Sequence, residues 1–499
     1  MSIDRIRTLL FVCLVAATQL RAAGKPNVLF IAVDDLNDWV GCLGGHPQAL
    51  TPNMDRLAKR GVLFTNAHCA APACNPSRAA VFSGLMPQTT KVWSNRSAAI
   101  DKLLPDAVQL PQTFAKAGYR TWGTGKLLHS KGKAHFDDYY NIEQRWSPLT
   151  RQAVEYTDAE QPSKGTDNPR HVTKDSRGKR VVLPLNRMPS DRKPEKQDGE
   201  SFDWGGWDVP DSDFGDTQIT DWAIGKLKRD DEKPFFLGVG YYRPHIPLWA
   251  PQRFFERFKN DPGRLPAALE NDLNDLGETA KKWAVEPVTA GSHSTVVKHK
   301  QWRQAVEAYL ACVTYVDHEI GRLLDALDAS SYAGNTVIVL WSDHGWHLGE
   351  KQHWGKWTGW ERSTRVPLII APAKWAKGFA INRRSDAPVN LIDMYPTLLE
   401  LCDVPGPLRK LDGHSLVGLL REPDSEDGRI SLTMFSEGNS SLRNERWRYI
   451  RYEDGSEELY DLKKDPNEWR NQAGDDGRAN VKRALVRKLE KRLAELRAD

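Results

Sequence analysis

The sequence predicts a doubly wound α/β sheet with a smaller α+β subdomain at its C-terminal end, and three observations carry that expectation. Asn27 to Val33 is a continuous apolar run that stops at Asp34-Asp35. A run without polar alternation fits a strand buried on both faces, as parallel strands are. Similar runs recur at Tyr119 to Gly123, Pro234 to Val239, Asn335 to Trp341 and Val366 to Ala371, with helical stretches between them. That alternation builds βαβ units. After Pro423 the pattern changes to a hairpin and one helix.

Each element has its own local reason. Thr51-Pro52 opens a helix that runs through Lys59 and is closed by Gly61, with proline in the first turn and glycine after the last. Ala305, Tyr309, Cys312, Val316, Ile320, Leu323 and Leu327 recur at a spacing of three or four, which makes one face of a helix of about six turns. Trp447 to Tyr452 and Glu458 to Leu462 flank an acidic, glycine-containing turn, the pattern of a hairpin. Val481, Leu485, Leu489 and Leu493 then mark a final amphipathic helix. Residues 145–216 break the alternation: they are rich in charge, Pro, Gly and Asp, and too long for an ordinary connection. This insertion reads as mostly solvated, with Trp204, Trp207 and Asp208 near the rim of a pocket. The domain boundaries expected are 24–424 for the main domain and 425–499 for the subdomain.

Composition narrows the function. A net charge of +4 and a pI near 8.5 leave no global field of the kind a nucleic-acid binder presents. Residues 1–23 read as a secretion signal: Arg5 and Arg7, an apolar run from Leu9 to Ala17, and small residues at Ala22 and Ala23. The run is too short to span a bilayer, and no later segment is apolar enough. The expectation is a secreted or periplasmic chain without stable membrane insertion. Cys42, Cys69, Cys74, Cys312 and Cys402 remain, an odd and sparse set that is no disulfide framework.

Cys74-Asn75-Pro76-Ser77-Arg78 is the most informative stretch. Pro76 suits a first helical turn, a helix N-terminus favours an anion, and Arg78 adds a permanent cation with a planar donor fork. Asp34-Asp35 and Asp343-His344 both follow strands, at the edge where open α/β sheets collect ligands, and their carboxylates are hard donors for a divalent cation. Lys126 and His129 follow a third strand and share a face if that turn is helical. His245, between Pro244 and Pro247, is held stiffly on a strand exit, which suits an acid or base. Lys356 could add a cation. Trp341, Trp346, Trp354, Trp357 and Trp360 cluster near these groups and offer faces for sugar rings, although core packing is the commoner use.

In this order the motifs resemble the type I, formylglycine-dependent sulfatases of the alkaline phosphatase superfamily, and within them the iduronate-2-sulfatase branch. The likeness runs through Pro26-Asn27-Val28, Val33-Asp34-Asp35-Leu36, Thr51-Pro52-Asn53-Met54-Asp55, Cys74 to Arg78 and Gly125-Lys126 with His129. It continues through Pro244-His245-Ile246-Pro247, Ser342-Asp343-His344-Gly345-Trp346, Asp393-Met394-Tyr395-Pro396-Thr397 and Leu459-Tyr460-Asp461-Leu462. One departure is Phe82-Ser83-Gly84-Leu85, where the family usually has Leu-Thr-Gly-Arg.

The resemblance implies an alkaline-phosphatase-like central sheet, mixed but mostly parallel. It implies a formylglycine (3-oxoalanine) made from Cys74 by a formylglycine-generating enzyme, and one calcium ion held by Asp34, Asp35, Asp343, His344 and the modified Cys74. Arg78 and Lys126 would hold the hydrated aldehyde, His129 would assist it, Lys356 and His245 would contact the sulfate, and His245 would protonate the departing oxygen. The implied substrate is a sulfated carbohydrate, a 2-O-sulfated uronic acid in particular. Two other readings stand beside it: a phosphonate monoester or phosphodiester hydrolase of the same superfamily, and an inactive protein that binds anionic glycans.

Overall fold

The computed structural model describes residues 25–129, 132–142, 147–150, 154–156, 171–189, 201–286 and 291–498. The expected signal and parts of the 145–216 stretch lie outside them. Eight strands make the main sheet: β1 (Asn27–Val33), β2 (Val62–Phe64), β3 (Arg120–Gly125), β4 (Asp138–Tyr140), β5 (Phe235–Tyr241), β6 (Thr336–Ser342), β7 (Leu368–Ala371) and β8 (Arg383–Ser385). Their spatial order is β8-β2-β7-β6-β1-β5-β3-β4. The run from β6 to β4 is parallel throughout, while β7 is antiparallel to both of its neighbours. The sheet is therefore mixed and mostly parallel, as expected.

All seven residues of β1, β5 and β6 are buried, so their runs are apolar because both faces are covered. Leu29, Ile31 and Val33 face one layer, which includes α3 (Gly215–Leu227) and α4 (Trp302–Asp328). Val28, Phe30 and Ala32 face the other, which includes α2 (Cys74–Ser83). On that side the Phe30 ring lies 5.8 Å from Phe82, 5.6 Å from Phe236 and 5.3 Å from Trp341. Such contacts carry the burial energy of the layer, roughly 1.5–3 kcal/mol for each large apolar side chain.

The short helix α1 (Pro52–Ala58) starts where the sequence places it, but Thr51 makes no side-chain cap. Asp317 of α4 supplies that function instead, accepting from Asn53 N at 3.1 Å and Met54 N at 2.8 Å. The subdomain holds the antiparallel strands β9 (Ser431–Ser436), β10 (Asn439–Arg443), β11 (Trp447–Arg451) and β12 (Glu457–Asp461). The last helix, α5 (Ala479–Ala498), packs Leu485, Leu489, Leu493 and Leu496 with Ala80 and Met86 of the main domain.

Four neighbouring parallel strands, β6, β1, β5 and β3, end on one edge. Gly125 and Gly240 set the spacing there. Gly125 has φ +67°, and a Cβ on it would lie 2.0 Å from Gly240 O. A Cβ on Gly240 would lie 2.3 Å from the Lys126 carbonyl. Only glycine at both positions lets β3 exit across β5.

Candidate active site

Cys74 is the first residue of α2, and all ten residues of that helix are buried. Gly84, the one residue kept from the second half of the family pattern, ends the helix in the left-handed region, φ 70°, with its N–H on Ala80 O. Around Cys74 Sγ stand Lys356 Nζ at 3.0 Å, His344 Nε2 at 3.3 Å, Lys126 Nζ at 3.4 Å and Asp34 Oδ1 at 3.5 Å. Burial and Asp34 oppose a thiolate, yet Lys126, Lys356 and His344 outweigh them and hold the thiol well below its ordinary range.

The carboxylates come from two adjacent strand ends. Arg78, fully buried, binds Asp343 Oδ2 through Nε at 2.8 Å and Asp34 Oδ1 through Nη2 at 3.2 Å. It also donates to Leu127 O at 3.1 Å and to Lys126 O. Lys126 pairs with Asp34, and Lys356 with Asp35 at 2.6 Å. Burial is the largest influence on Asp34 and opposes its charge, but Lys126 and Arg78 keep it ionised. Burial pushes the Asp343 carboxyl up to about 7, although Arg78 opposes that rise. His344 Nε2 lies 3.4 Å from Asp35 and 3.5 Å from Asp343.

The backbone beneath is tied as well. Asp35 has φ 62°, its carbonyl accepts from Tyr309 of α4 at 2.8 Å, and its N–H donates to Asp343 Oδ1 at 3.2 Å. Ser77 donates to Asp343 O at 2.5 Å.

Among the described residues, two groups have donor atoms within 4.8 Å of one another: Asp34, Cys74, Asp343 and His344, and Asp34, Asp35, Cys74 and His245. Asp35 Oδ2 is buried with no hydrogen-bond partner, an expensive condition for a carboxylate oxygen. Asp34 is common to both groups, with Asp35 in one and Asp343 in the other, and such carboxylate oxygens fit a divalent cation. The thiol is the one soft donor and matches such an ion poorly; an oxygen in its place would match well.

The sequence-derived residues Asp34, Asp35, Cys74, Arg78, Lys126, His245, Asp343, His344 and Lys356 thus meet. His245 Nε2 lies 4.0 Å from Asp35 Oδ2, and its Nδ1 is 2.6 Å from Ile246 O. Burial, with Lys126 beside it, holds His245 well below the usual imidazole value. His129 is placed differently: residues 126–129 form a bend, not a helical turn. The expected shared face does not form, and His129 lines a cavity of about 200 Å³ with Asn75, Gln109 and His135.

Of the five tryptophans noted, Trp341, Trp346, Trp354 and Trp360 are buried and serve the core. Trp346 lies 5.4 Å below the Lys356 ammonium. Only Trp357 keeps partial exposure. Trp204 and Trp207 are also buried, Trp204 stacked 6.2 Å from Trp354. Asp208 lies on the surface and pairs with Arg177 at 3.1 Å.

Two positioning groups escaped sequence reasoning. Asp216, at the start of α3, accepts from Tyr242 N and Arg243 N, both at 2.9 Å, and so clamps the loop that carries His245. Arg448 of β11, fully buried, donates to Gly359 O at 2.8 Å and pairs with Glu361 and Glu468, close behind Lys356. Neither belongs to a local motif; each acts on a segment remote in the chain.

Comparison with known proteins shows the family. Residues 26–404 match the sulfatase family model, and residues 349–498 match that of the N-sulphoglucosamine sulphohydrolase C-terminal region. A sulfatase of Formosa agariphila is 36% identical over 90% of this chain and 83% of its own. Human iduronate 2-sulfatase is 27% identical over 88% and 78%. Among solved structures, one bound to D-glucosamine-2-N,6-O-disulfate superposes with a TM-score of 0.71 at 23% identity, over 95% of this chain and 99% of that one. The phosphonate monoester hydrolase of Agrobacterium radiobacter gives 0.73 at 20% identity, over 95% and 96%. The chain belongs to the sulfatase family and is a sulfuric ester hydrolase. The family implies a formylglycine and a metal ion.

Proposed function

We propose that this sulfatase removes sulfate from sulfated carbohydrates, and specifically from 2-O-sulfated uronic acid. The observation that carries the sulfate reading is the pair of lysines at one sulfur: Lys126 and Lys356 lie within 3.4 Å of Cys74 Sγ, with His344 Nε2 at 3.3 Å beside them. The uronate reading rests on the Asp343-His344 pair and on the iduronate 2-sulfatases among the relatives.

Asp34, Asp35, Asp343 and His344 would hold a calcium ion, which when bound supplies positive charge to the sulfate oxygens. Cys74, oxidised by a formylglycine-generating enzyme, would supply a hydrated aldehyde as nucleophile. Lys126 and Lys356 neutralise the charge that gathers on the transferring group, the kind of preorganised contribution that dominates such sites. Arg78 holds Asp34 and Asp343 apart from that charge and in register. His245 gains its proton as the anion settles and gives it to the departing sugar oxygen. His129 assists the diol from the cavity beside Asn75. Residues 1–23 would direct the chain to the periplasm or outside the cell.

The test is a mass measurement of the Cys74 peptide, with aldehyde expected in place of thiol, beside turnover of 2-O-, 6-O- and N-sulfated disaccharides. Preference for the 2-O-sulfated uronate is expected. Faster turnover of a phosphonate monoester or a phosphodiester would move the assignment to that class. Binding without turnover by aldehyde-bearing protein would leave only a glycan binder. An unprocessed N-terminus in protein recovered from the periplasm or medium would remove the secretion signal.

A further inference from the structure

Much of the positive charge of this chain is concentrated on its last helix. Helix α5 carries seven Lys or Arg against two Glu, a net +5, while the whole chain carries +4. The two glutamates are already engaged, Glu490 with Arg451 and Glu495 with Arg492. Arg483, Arg487 and Lys491 are exposed and stand four residues apart, so they line one face at steps of about 6 Å. Lys488 is exposed beside them and donates to Gly428 O at 3.1 Å. Among the described residues no carboxylate lies within ion-pair reach of these four.

Beside the stripe runs a groove of about 390 Å³ whose walls carry Lys488, Lys491 and His414, together with Arg429 and Arg492, which pair with Asp427 and Glu495 of the same walls, and Asp393. The inner face of the same helix packs with Ala80, in the helix that begins at Cys74. Ala80 stands six positions after Cys74, about 9 Å along the helix axis.

We infer that the outer face of α5 and this groove form a second binding site, for an acidic polysaccharide chain, separate from the site that cleaves it. A row of unpaired cations on a rigid helix attracts a linear polyanion and releases the polyanion's counterions. A chain held there would raise the local concentration of its own sulfate esters at the catalytic edge. This inference rests on the carbohydrate reading above, and the experiment separates the two.

Full-length protein with Arg483→Glu, Arg487→Glu and Lys491→Glu together is compared with the unaltered chain by titration against heparin, and by turnover of 4-nitrophenyl sulfate. The expected result is heparin affinity weaker by about tenfold or more at ~0.05 M salt, with a shallower salt dependence, and unchanged turnover of the small ester. Unchanged heparin affinity in the triple variant overturns the second site. So does tighter binding of the unaltered chain to single-stranded DNA or to anionic vesicles than to heparin. If the unaltered chain cleaves no sulfate ester yet loses heparin on the triple substitution, the catalytic reading fails and the binding site stands.

Discussion

At the edge of the main sheet, Asp34, Asp35 and Asp343 share Arg78, Lys126 and Lys356, yet one oxygen of Asp35 is left without a hydrogen bond. In the seam with the subdomain, Glu361, Glu458 and Glu468 are closed against Arg448, Trp360 and the backbone of Glu361. Both clusters are buried and both mix charges. In the seam Glu468 Oε1 and Arg448 Nε also lack a hydrogen bond, but they close on one another as an ion pair at 2.7 Å, whereas Asp35 Oδ2 at the edge faces His245 Nε2 at 4.0 Å. Removing one member of a closed buried cluster exposes an uncompensated charge and is costly in stability. An open cluster has that cost built in already, and its members answer to function.

Four substitutions test this contrast. Asp35→Asn should lower turnover by about 10³-fold or more, because the negative charge that Asp35 would offer the metal is lost. The melting temperature should move less than in any seam variant, and a large loss of stability with activity retained would reverse the assignment. Arg448→Met should cost about 3–5 kcal/mol in denaturant unfolding, the scale for breaking a buried pair. Turnover should fall only as far as the Gly359 to Glu361 segment lets Lys356 drift.

Asp216→Asn sits between the two. It should lower kcat by roughly 10- to 100-fold through displacement of His245, while KM for an aryl sulfate changes little. An unaltered kcat would mean that the loop holds its shape without the clamp. The smallest effect is a pH dependence. Burial opposes the Glu361 charge, but Arg448 and Arg443 outweigh it and hold the carboxyl well below its ordinary value. A depressed folded-state value contributes stability above the unfolded pKa, and that stability is lost as pH falls through the folded one. Glu361→Gln should therefore flatten the acid limb of a melting-temperature profile below about pH 4.5.

Much of the edge was legible in the sequence because apolar runs announce buried strands, and the polar residues that follow each run must then sit at strand ends. Asp34-Asp35, His245 and Asp343-His344 follow from that rule alone. Lys126 followed too, whereas the helical turn that would have set His129 on its face is a bend, a geometry that spacing cannot supply. Asp216, Arg448 and Asp317 were silent for another reason. Each satisfies backbone donors or acceptors in a segment far along the chain, and a carboxylate or guanidinium in a helix or hairpin looks the same whether it faces water or a distant loop. For the tryptophans the commoner use, core packing, holds at four of the five: their crowding beside the ligands reflects a thick aromatic layer under them, with Trp357 at its surface.

The paired glycines at the exits of β3 and β5 leave the Lys126 ammonium no tolerance. One methyl on Gly240 would press on the carbonyl of the very residue whose amine must reach the sulfur. Evolution of this pocket toward a bulkier substrate must therefore proceed through the outer loops, since its floor is as thin as a hydrogen atom permits.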